Sequence, residues 1–371
     1  MRLLLTGGGT AGHINPAVSI AEIMKQKEEN TEILFVGTEG GMEKELIPRY
    51  GFNIEFIKIH GFKRSLSFKN VKVVAELLSS IHKSKKIIKK FKPDAVVGTG
   101  GYVTGPVLYA AAKMKIPTMV HESNAYPGIT VRLLSDKVDI VALAMKEAEK
   151  FLKNPKRVEI TGNPIRKSIV EITKDEARKK LGLDDKKTVL VFGGSLGADY
   201  FNSVVCDYIS EAIKAGKDYR FIMSAGKNNR YEKLYKRFEE NGVNPDTCEN
   251  LSLLEYIYDM EYALNAVDLI IARSGSSVSE MLAAGKPAVL IPSPNVAGNH
   301  QEHNARAVEK AGAAVVITED KLNVKTLKKE VEGILDNDIL RKEMSLAAEK
   351  TAITDATEKL SNLLFELIEN R

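Results

Sequence analysis

Two glycine-rich turns carry the residue types that could do chemistry on phosphate. Near the N-terminus the apolar run 3–5 breaks into Gly7-Gly8-Gly9-Thr10-Ala11-Gly12-His13, and at mid-chain the run 189–192 leads into Gly193-Gly194-Ser195-Leu196-Gly197-Ala198. Glycine lets backbone N–H groups close on an anion without side-chain interference, and a following helix adds the positive end of its dipole. One such cradle in each half implies a phosphate-rich ligand, such as a nucleotide sugar, bound between two domains. A third cluster, Gly98-Thr99-Gly100-Gly101-Tyr102-Val103-Thr104-Gly105-Pro106, follows another apolar run of the first half.

Gly7, Gly9 and Gly12 also satisfy G-x-G-x-x-G, which raises a dinucleotide dehydrogenase. That fingerprint wants an acid after the second strand to hold a ribose; Glu39 is the nearest, and nothing downstream supplies hydride chemistry. Three polar clusters follow later apolar runs: His121-Glu122-Ser123-Asn124, Arg273-Ser274-Gly275-Ser276-Ser277-Val278-Ser279-Glu280, and Asn299-His300-Gln301-Glu302-His303-Asn304-Ala305. Glu280 falls early in a helix, where the dipole favours a carboxylate; it reads either as plain helix-end electrostatics or as an acceptor for two vicinal ribose hydroxyls. His300 and His303 raise a metal, but no third ligand at a recognisable spacing accompanies them, and a sugar-binding surface is the preferred reading. No acidic metal site stands out, so metal-independent chemistry without a cofactor is expected.

The elements that must position these residues alternate. Strand candidates in the first half are 3–6, 33–36, 54–57, 95–98, 118–121 and 140–142, and in the second 188–192, 221–224, 269–272, 288–291 and 314–316. Helix-length amphipathic stretches fit between most of them, the rhythm of α/β doubly wound parallel sheets. A chain of 371 residues exceeds what one core usually organises, so two domains are expected. The turn-forming stretch Thr161-Gly162-Asn163-Pro164-Ile165-Arg166 is the natural linker. No apolar stretch reaches the roughly 18 residues that span a bilayer, and the N-terminus lacks a signal-peptide layout, which reads as a cytosolic chain. Cys206 and Cys248 lie far apart, giving neither a disulfide framework nor a zinc pattern.

Charge is unevenly spread. Residues 58–92 hold eleven Lys or Arg against one acid, Glu76, so this segment carries +10 while the whole chain carries +5. Phe62, Leu66 and Phe68 are interleaved with the cations. Basic and bulky apolar residues together suit an anionic membrane surface better than a nucleic acid; a solvated helix face is the alternative.

In order along the chain stand Gly8-Gly9-Thr10-Ala11-Gly12-His13 with Pro16-Ala17, Gly100-Gly101-Tyr102, His121-Glu122-x-Asn124, Gly162-Asn163-Pro164-x-Arg166, Gly193-Gly194-Ser195-x-Gly197-Ala198, Arg273-Ser274-Gly275 leading to Glu280, and His300-Gln301 with Asn304-Ala305. This series resembles the bacterial peptidoglycan glycosyltransferases that move N-acetylglucosamine from UDP-N-acetylglucosamine onto the 4-hydroxyl of an undecaprenyl-pyrophosphoryl muramyl-pentapeptide, and the resemblance spans essentially the whole chain. It implies the GT-B architecture, two Rossmann-like domains facing a central cleft: 1–163 for the acceptor and the membrane, 164–349 for the donor, and a final segment 350–371 returning to the first domain. It also implies peripheral attachment at the cytoplasmic face of the cell membrane through 58–92.

For the donor, the resemblance implies Ile257 on uracil, Glu280 on ribose, Ser195, Ser276 and Ser277 on the diphosphate, Arg166 in the nucleotide pocket, and Gln301, Asn124 and Thr10, Ala11 and Gly12 on the sugar. For the polyprenyl-diphosphate-linked acceptor it implies Gly9, His13, Gly100, Gly101, Tyr102 and His121. The interval from Gly275 to Glu280 is one residue shorter than the family's. Transfer with inversion needs a base for the attacking hydroxyl. His13, near a helix N-terminus that disfavours imidazolium, and Glu122 are both candidates. Two other readings share the donor pocket: a UDP-N-acetylglucosamine 2-epimerase-like isomerase, and a non-catalytic UDP-sugar-binding membrane scaffold.

Overall fold

The structure, a computed structural model, describes residues 1–59, 69–194, 198–226 and 229–370, and of 11, 69–75 and 297 the backbone only. Ser195 and the Phe62, Leu66 and Phe68 group of the basic segment therefore lie outside the described residues. The chain forms two compact units, Met1–Ile165 with Ile353–Arg371, and Arg166–Ala352.

The first unit is built on β1 (Arg2–Thr6), β2 (Glu32–Thr38), β3 (Asn53–Ile57), β4 (Ala95–Gly98), β5 (Thr118–Glu122), β6 (Ile140–Leu143) and β7 (Val158–Ile160). All pair in parallel in the order β3-β2-β1-β4-β5-β6-β7. Alternation along β1 sorts its side chains to opposite faces. Leu3 and Leu5 join one core with Phe35 and Val97, and Leu4 joins the other with Val36 and Val96. Helix Ala11–Lys27 covers the first face, burying Ile14, Ala17, Val18, Ala21 and Met24 at helical spacing. The C-terminal helix Ala356–Glu369 seals the same core with Leu360 and Leu364, one turn apart and fully buried.

In the second unit, β8 (Lys187–Phe192), β9 (Tyr219–Ser224), β10 (Leu251–Leu254), β11 (Leu269–Ala272), β12 (Ala288–Leu290) and β13 (Ala314–Val316) form a parallel sheet ordered β10-β9-β8-β11-β12-β13. These are two Rossmann-like units. β7 and β10 were not among the strands expected from sequence. β7 is three residues long, none of them buried, at a sheet edge; β10 is a four-residue edge strand with Leu254 exposed, so neither presents a continuous apolar run.

In each sheet the strand order reverses beside its first strand, between β1 and β4 and between β8 and β11. The crevice beyond the carboxyl ends of strands at such a switch point is where open α/β sheets bind ligands. All four turns there, after Thr6, Gly98, Phe192 and Ala272, are motifs singled out from the sequence. If the C-terminal helix is an integral part of the first unit, Leu364→Ala should cost about 2 to 5 kcal/mol in urea unfolding. It should also accelerate hydrogen exchange in helix Ala11–Lys27, and an unchanged exchange rate there would show that this core does not depend on the returning helix.

Candidate active site

The first unit's site is assembled from backbone. Gly8 N donates to Gly100 O at 3.3 Å, joining the turns after β1 and β4. Gly101 has φ +84°, and a Cβ there would stand 2.4 Å from the Gly8 carbonyl oxygen; at Gly100, φ +112°, it would meet the His13 ring at 2.6 Å. Only glycine satisfies both the left-handed backbone and the approach. His13 lies in the first turn of helix Ala11–Lys27, with Nδ1 3.1 Å from Gly8 O and 3.4 Å from Thr10 Oγ1. A carbonyl oxygen can only accept, so Nδ1 carries the proton and Nε2 is the basic nitrogen of the neutral ring. Thr99 Oγ1 donates to His13 O at 2.6 Å, fixing the turn from below. Thr10 and Gly9 are exposed, Gly12 is half-buried, and Tyr102 is exposed beside this cluster.

At the end of β5 the carboxylate of Glu122 is almost fully buried and accepts hydrogen bonds from Asn124 N at 3.0 Å, Asn124 Nδ2 at 2.9 Å and Gly128 N at 2.8 Å. Burial raises its pKa, and hydrogen bonds from the Gly128, Asn124 and Ser123 backbone and the Asn124 side chain oppose the rise. That is the geometry of a clamp on loop 123–128. His121 is fully buried with Nε2 donating to Gly162 O at 3.0 Å, while Nδ1 has no hydrogen-bond partner. Desolvation lowers its pKa to about 4, with the charge of His13 a further lowering influence.

In the second unit, Arg166 sits between two carboxylates. Its Nη1 donates to Glu261 Oε2 at 2.5 Å and its Nε lies 3.6 Å from Glu280 Oε1. Glu280 is in the first turn of helix Val278–Ala283; desolvation raises its carboxyl and Arg166 pulls the other way. Ser276 and Ser277 are half-buried, and Val278 N returns to Gly275 O at 3.2 Å, so the shortened interval closes directly into the helix. Arg273, buried, donates from Nη1 to Ile291 O at 3.0 Å and Pro292 O at 3.1 Å, pairs with Glu319, and lies over the Phe201 ring. Gln301 Oε1 accepts from Ser293 N at 2.9 Å, while Ser274 Oγ donates to Gln301 O at 2.7 Å and Asn304 Nδ2 to Ser274 O at 3.0 Å. Ile257 is buried ahead of helix Met260–Ala266.

Within the first unit, then, Gly9, Thr10, His13, Gly100 and Gly101 come together, and His121, Glu122 and Asn124 share the end of β5. Within the second, Arg166 joins Glu280, and the Ser274 turn joins Gln301. Sequence reasoning missed Glu43, Glu261 and Glu319. Glu43 is fully buried beneath the first glycine turn, accepting from Gly9 N at 3.0 Å, Thr38 N at 2.9 Å and Thr38 Oγ1 at 2.7 Å. Glu39, the acid weighed for a ribose, is exposed. The usable signal was the glycine set Gly37, Gly40 and Gly41 around an acid, since Gly37 and Gly41 leave the space that the Glu43 side chain fills. Among the described residues no cluster of three or more His, Cys, Asp or Glu could hold a metal ion.

Comparison with known proteins gives concordant matches. The model of the glycosyltransferase family 28 N-terminal domain matches residues 3–143, and that of the C-terminal domain matches residues 188–360. The protein named UDP-N-acetylglucosamine--N-acetylmuramyl-(pentapeptide) pyrophosphoryl-undecaprenol N-acetylglucosamine transferase from Acetivibrio thermocellus is 45% identical over 373 residues, covering 100% of this chain and 99% of that protein. Its namesake from Caldanaerobacter subterraneus subsp. tengcongensis is 44% identical over 366 residues, covering 98% and 99%. The crystal structure of Acinetobacter baumannii MurG is similar with a TM-score of 0.77 at 26% identity, covering 98% of this chain and 99% of that one. UDP-GlcNAc 2-epimerase from Neisseria meningitidis, bound to UDP-GlcNAc, reaches a TM-score of 0.68 at 15% identity over 99% and 100% of the two chains, a likeness of fold alone.

The buried, neutral His121 makes a pH prediction. Its ordinary pKa near 6.5 applies once the chain unfolds, so below that the unfolded state takes up a proton that the folded state refuses until about pH 4. Stability should fall as pH drops through this window, by about 3 kcal/mol from this group. In His121→Gln the urea-unfolding free energy should decline less between pH 6.5 and pH 4 than in the parent, and parallel declines would remove His121 as the cause.

Proposed function

The chain belongs to glycosyltransferase family 28, and on that premise we propose that it transfers N-acetylglucosamine from UDP-N-acetylglucosamine to the 4-hydroxyl of the muramyl sugar in a polyprenyl-diphosphate-linked muramyl-pentapeptide, with inversion. The end-to-end match to the named transferases carries this reading. The epimerase reading rests on fold likeness only.

In this reading the second unit takes the donor: Ile257 through its backbone on uracil, Glu280 on the ribose, Arg166 beside it, and Ser195 with the Ser276 and Ser277 amides on the diphosphate. Gln301, Asn124 and residues 10–12 are assigned to the transferred sugar, and Gly9, His13, Gly100, Gly101 and Tyr102 of the first unit to the acceptor; His121, fully buried and bonded to Gly162 O, is not in reach of it. The acceptor hydroxyl forms a bond to the anomeric carbon as the bond to the UDP oxygen breaks, through an oxocarbenium-like transition state. His13 takes the hydroxyl proton on Nε2, a step for which general-base catalysis gives about 10² to 10⁴ in rate. Its Nδ1–H is already held by Gly8 O, so the basic nitrogen is set by geometry. Glu122 is the weaker candidate, because protonating it would weaken the acceptor for the N–H groups of Asn124 and Gly128. Backbone amides at the second glycine turn oppose the charge that develops on UDP, a task a cation performs in other enzymes.

The acceptor's lipid tail would bring the protein to a membrane, and residues 58–92 are the surface we assign to that contact. No helix among the described residues is long and apolar enough to cross a bilayer. In helix Lys69–Phe91 the described cations Lys83, Lys85, Lys86, Lys89 and Lys90 are exposed while Ile87 and Ile88 are buried, so the charge faces outward. Each cation near an anionic surface contributes on the order of 1 kcal/mol, decaying within about 8 Å at physiological salt. We place this docking at the cytoplasmic face, where the nucleotide sugar is available.

Removing charge at the ribose contact tests the donor pocket. Glu280→Gln should weaken UDP binding by one to two decades, following the roughly 1.5 to 3 kcal/mol of a hydrogen bond to a charged group. His13→Ala should cut turnover by at least about 10² with UDP affinity retained. An unchanged UDP dissociation constant by calorimetry in a folded Glu280→Gln protein would remove the first assignment, and equal losses of binding and turnover in His13→Ala the second.

Replacing Lys63, Arg64, Lys69 and Lys72 with Gln should release the protein from anionic vesicles while sparing transfer to a short-chain, detergent-soluble acceptor. Vesicle binding that survives at low salt, or loss of soluble-acceptor activity along with it, would refute the membrane reading.

A further inference from the structure

The peptide bond between Gly8 and Gly9 has a partner on each edge. Its N–H, from Gly9, points at Glu43 Oε2 at 3.0 Å, and its C=O, from Gly8, faces His13 Nδ1 at 3.1 Å. Glu43 is fully buried and accepts from Gly9 N, Thr38 N and Thr38 Oγ1. The space it fills is kept open by glycines. A Cβ at Gly8 would stand 2.4 Å from its carboxylate, one at Gly41 2.2 Å, and one at Gly37 2.5 Å from its Cγ.

We propose that Glu43 is a positioning residue that acts on His13 through the intervening peptide, in the sequence carboxylate, amide N–H, carbonyl, imidazole Nδ1–H. An anion accepting from an amide N–H draws electron density toward the carbonyl oxygen at the other end of that peptide, and hydrogen bonds in such a chain strengthen one another. A stronger acceptor at Nδ1 makes Nε2 more basic and stabilises the imidazolium that forms as a proton arrives. The peptide thus does for His13 what a directly bonded carboxylate does for a histidine in a catalytic dyad.

The inference takes its functional meaning from the reading of His13 as the base, but the coupling itself is a property of the folded protein. His121, a titratable group whose charge acts on His13, is neutral above about pH 4. The remaining neighbours named on the turns, Thr10, Thr99 and Gly100, carry no charge.

The experiment is a pH titration of the six histidines of the ¹⁵N-labelled full chain by long-range ¹H–¹⁵N spectra, with His13 assigned by loss of its signals in His13→Ala. The Nδ1–H tautomer should dominate in the parent. In Glu43→Gln the His13 pKa should fall by about half a unit or more, roughly threefold in proton affinity, and the Nδ1–H tautomer should lose population. If Glu43→Gln does not fold, Glu43→Asp, which withdraws the charge by one methylene, is read the same way.

An unchanged His13 titration and tautomer in a variant with parental circular dichroism and UDP affinity would overturn the proposal. The base assignment is judged separately, by the acidic limb of kcat/KM. That limb should disappear in His13→Ala and move to lower pH in Glu43→Gln in step with the ring. If it persists in His13→Ala, the base reading fails, while the titration still decides whether Glu43 acts on His13.

Discussion

The carbonyl oxygen of Gly8 occupies the place a side chain at Gly101 would need, so the turns after β1 and β4 meet backbone to backbone. This follows from the topology. The sheet reverses its strand order between β1 and β4, and the two turns leaving that point diverge to opposite faces, opening a crevice whose walls are main chain. A crevice of this kind can be narrow only if its residues lack Cβ atoms. Gly100 then gives the His13 ring its seat, and the Gly8 carbonyl decides which ring nitrogen is protonated.

The second unit solves the same topological problem with side chains. Its switch point lies between β8 and β11, and the turn after β11 is braced by Arg273, whose guanidinium gathers the carbonyls of Ile291 and Pro292 and the carboxylate of Glu319. A planar donor fork suits this because it fixes several acceptors at once. Arg166 plays a similar part at the other side, facing Glu261 and Glu280 together. Glu280 is thereby oriented by a cation that is itself shared with Glu261.

Much of this was legible in the chain. Strands β1, β4 and β8 announce themselves as buried apolar runs that lead into glycine clusters, and β11 as one that leads into the polar cluster beginning at Arg273, all visible in one dimension. β7 and β10 were hidden because an edge strand needs only one neighbour and little burial, so its composition resembles a loop. Glu43, Glu261 and Glu319 were hidden for a different reason. Their partners lie far away in sequence or are backbone groups, and a buried acid has no periodicity of its own. Glu122 was visible as a residue but not as a clamp, since its role depends on the fold of loop 123–128 around it.

The two buried carboxylates of the first unit share a logic. An anion whose charge faced the glycine turns would repel any anionic ligand there. Both Glu43 and Glu122 instead turn toward backbone N–H groups of the glycine turn and of loop 123–128. Each N–H they occupy is one that cannot point outward at a phosphate, so Gly9, which looks in sequence like part of an anion cradle, spends its amide inward on Glu43. A turn whose amide faces inward turns the adjoining carbonyl the other way, because the two ends of a trans peptide oppose each other. The first glycine turn is therefore suited to holding a histidine more than to holding an anion.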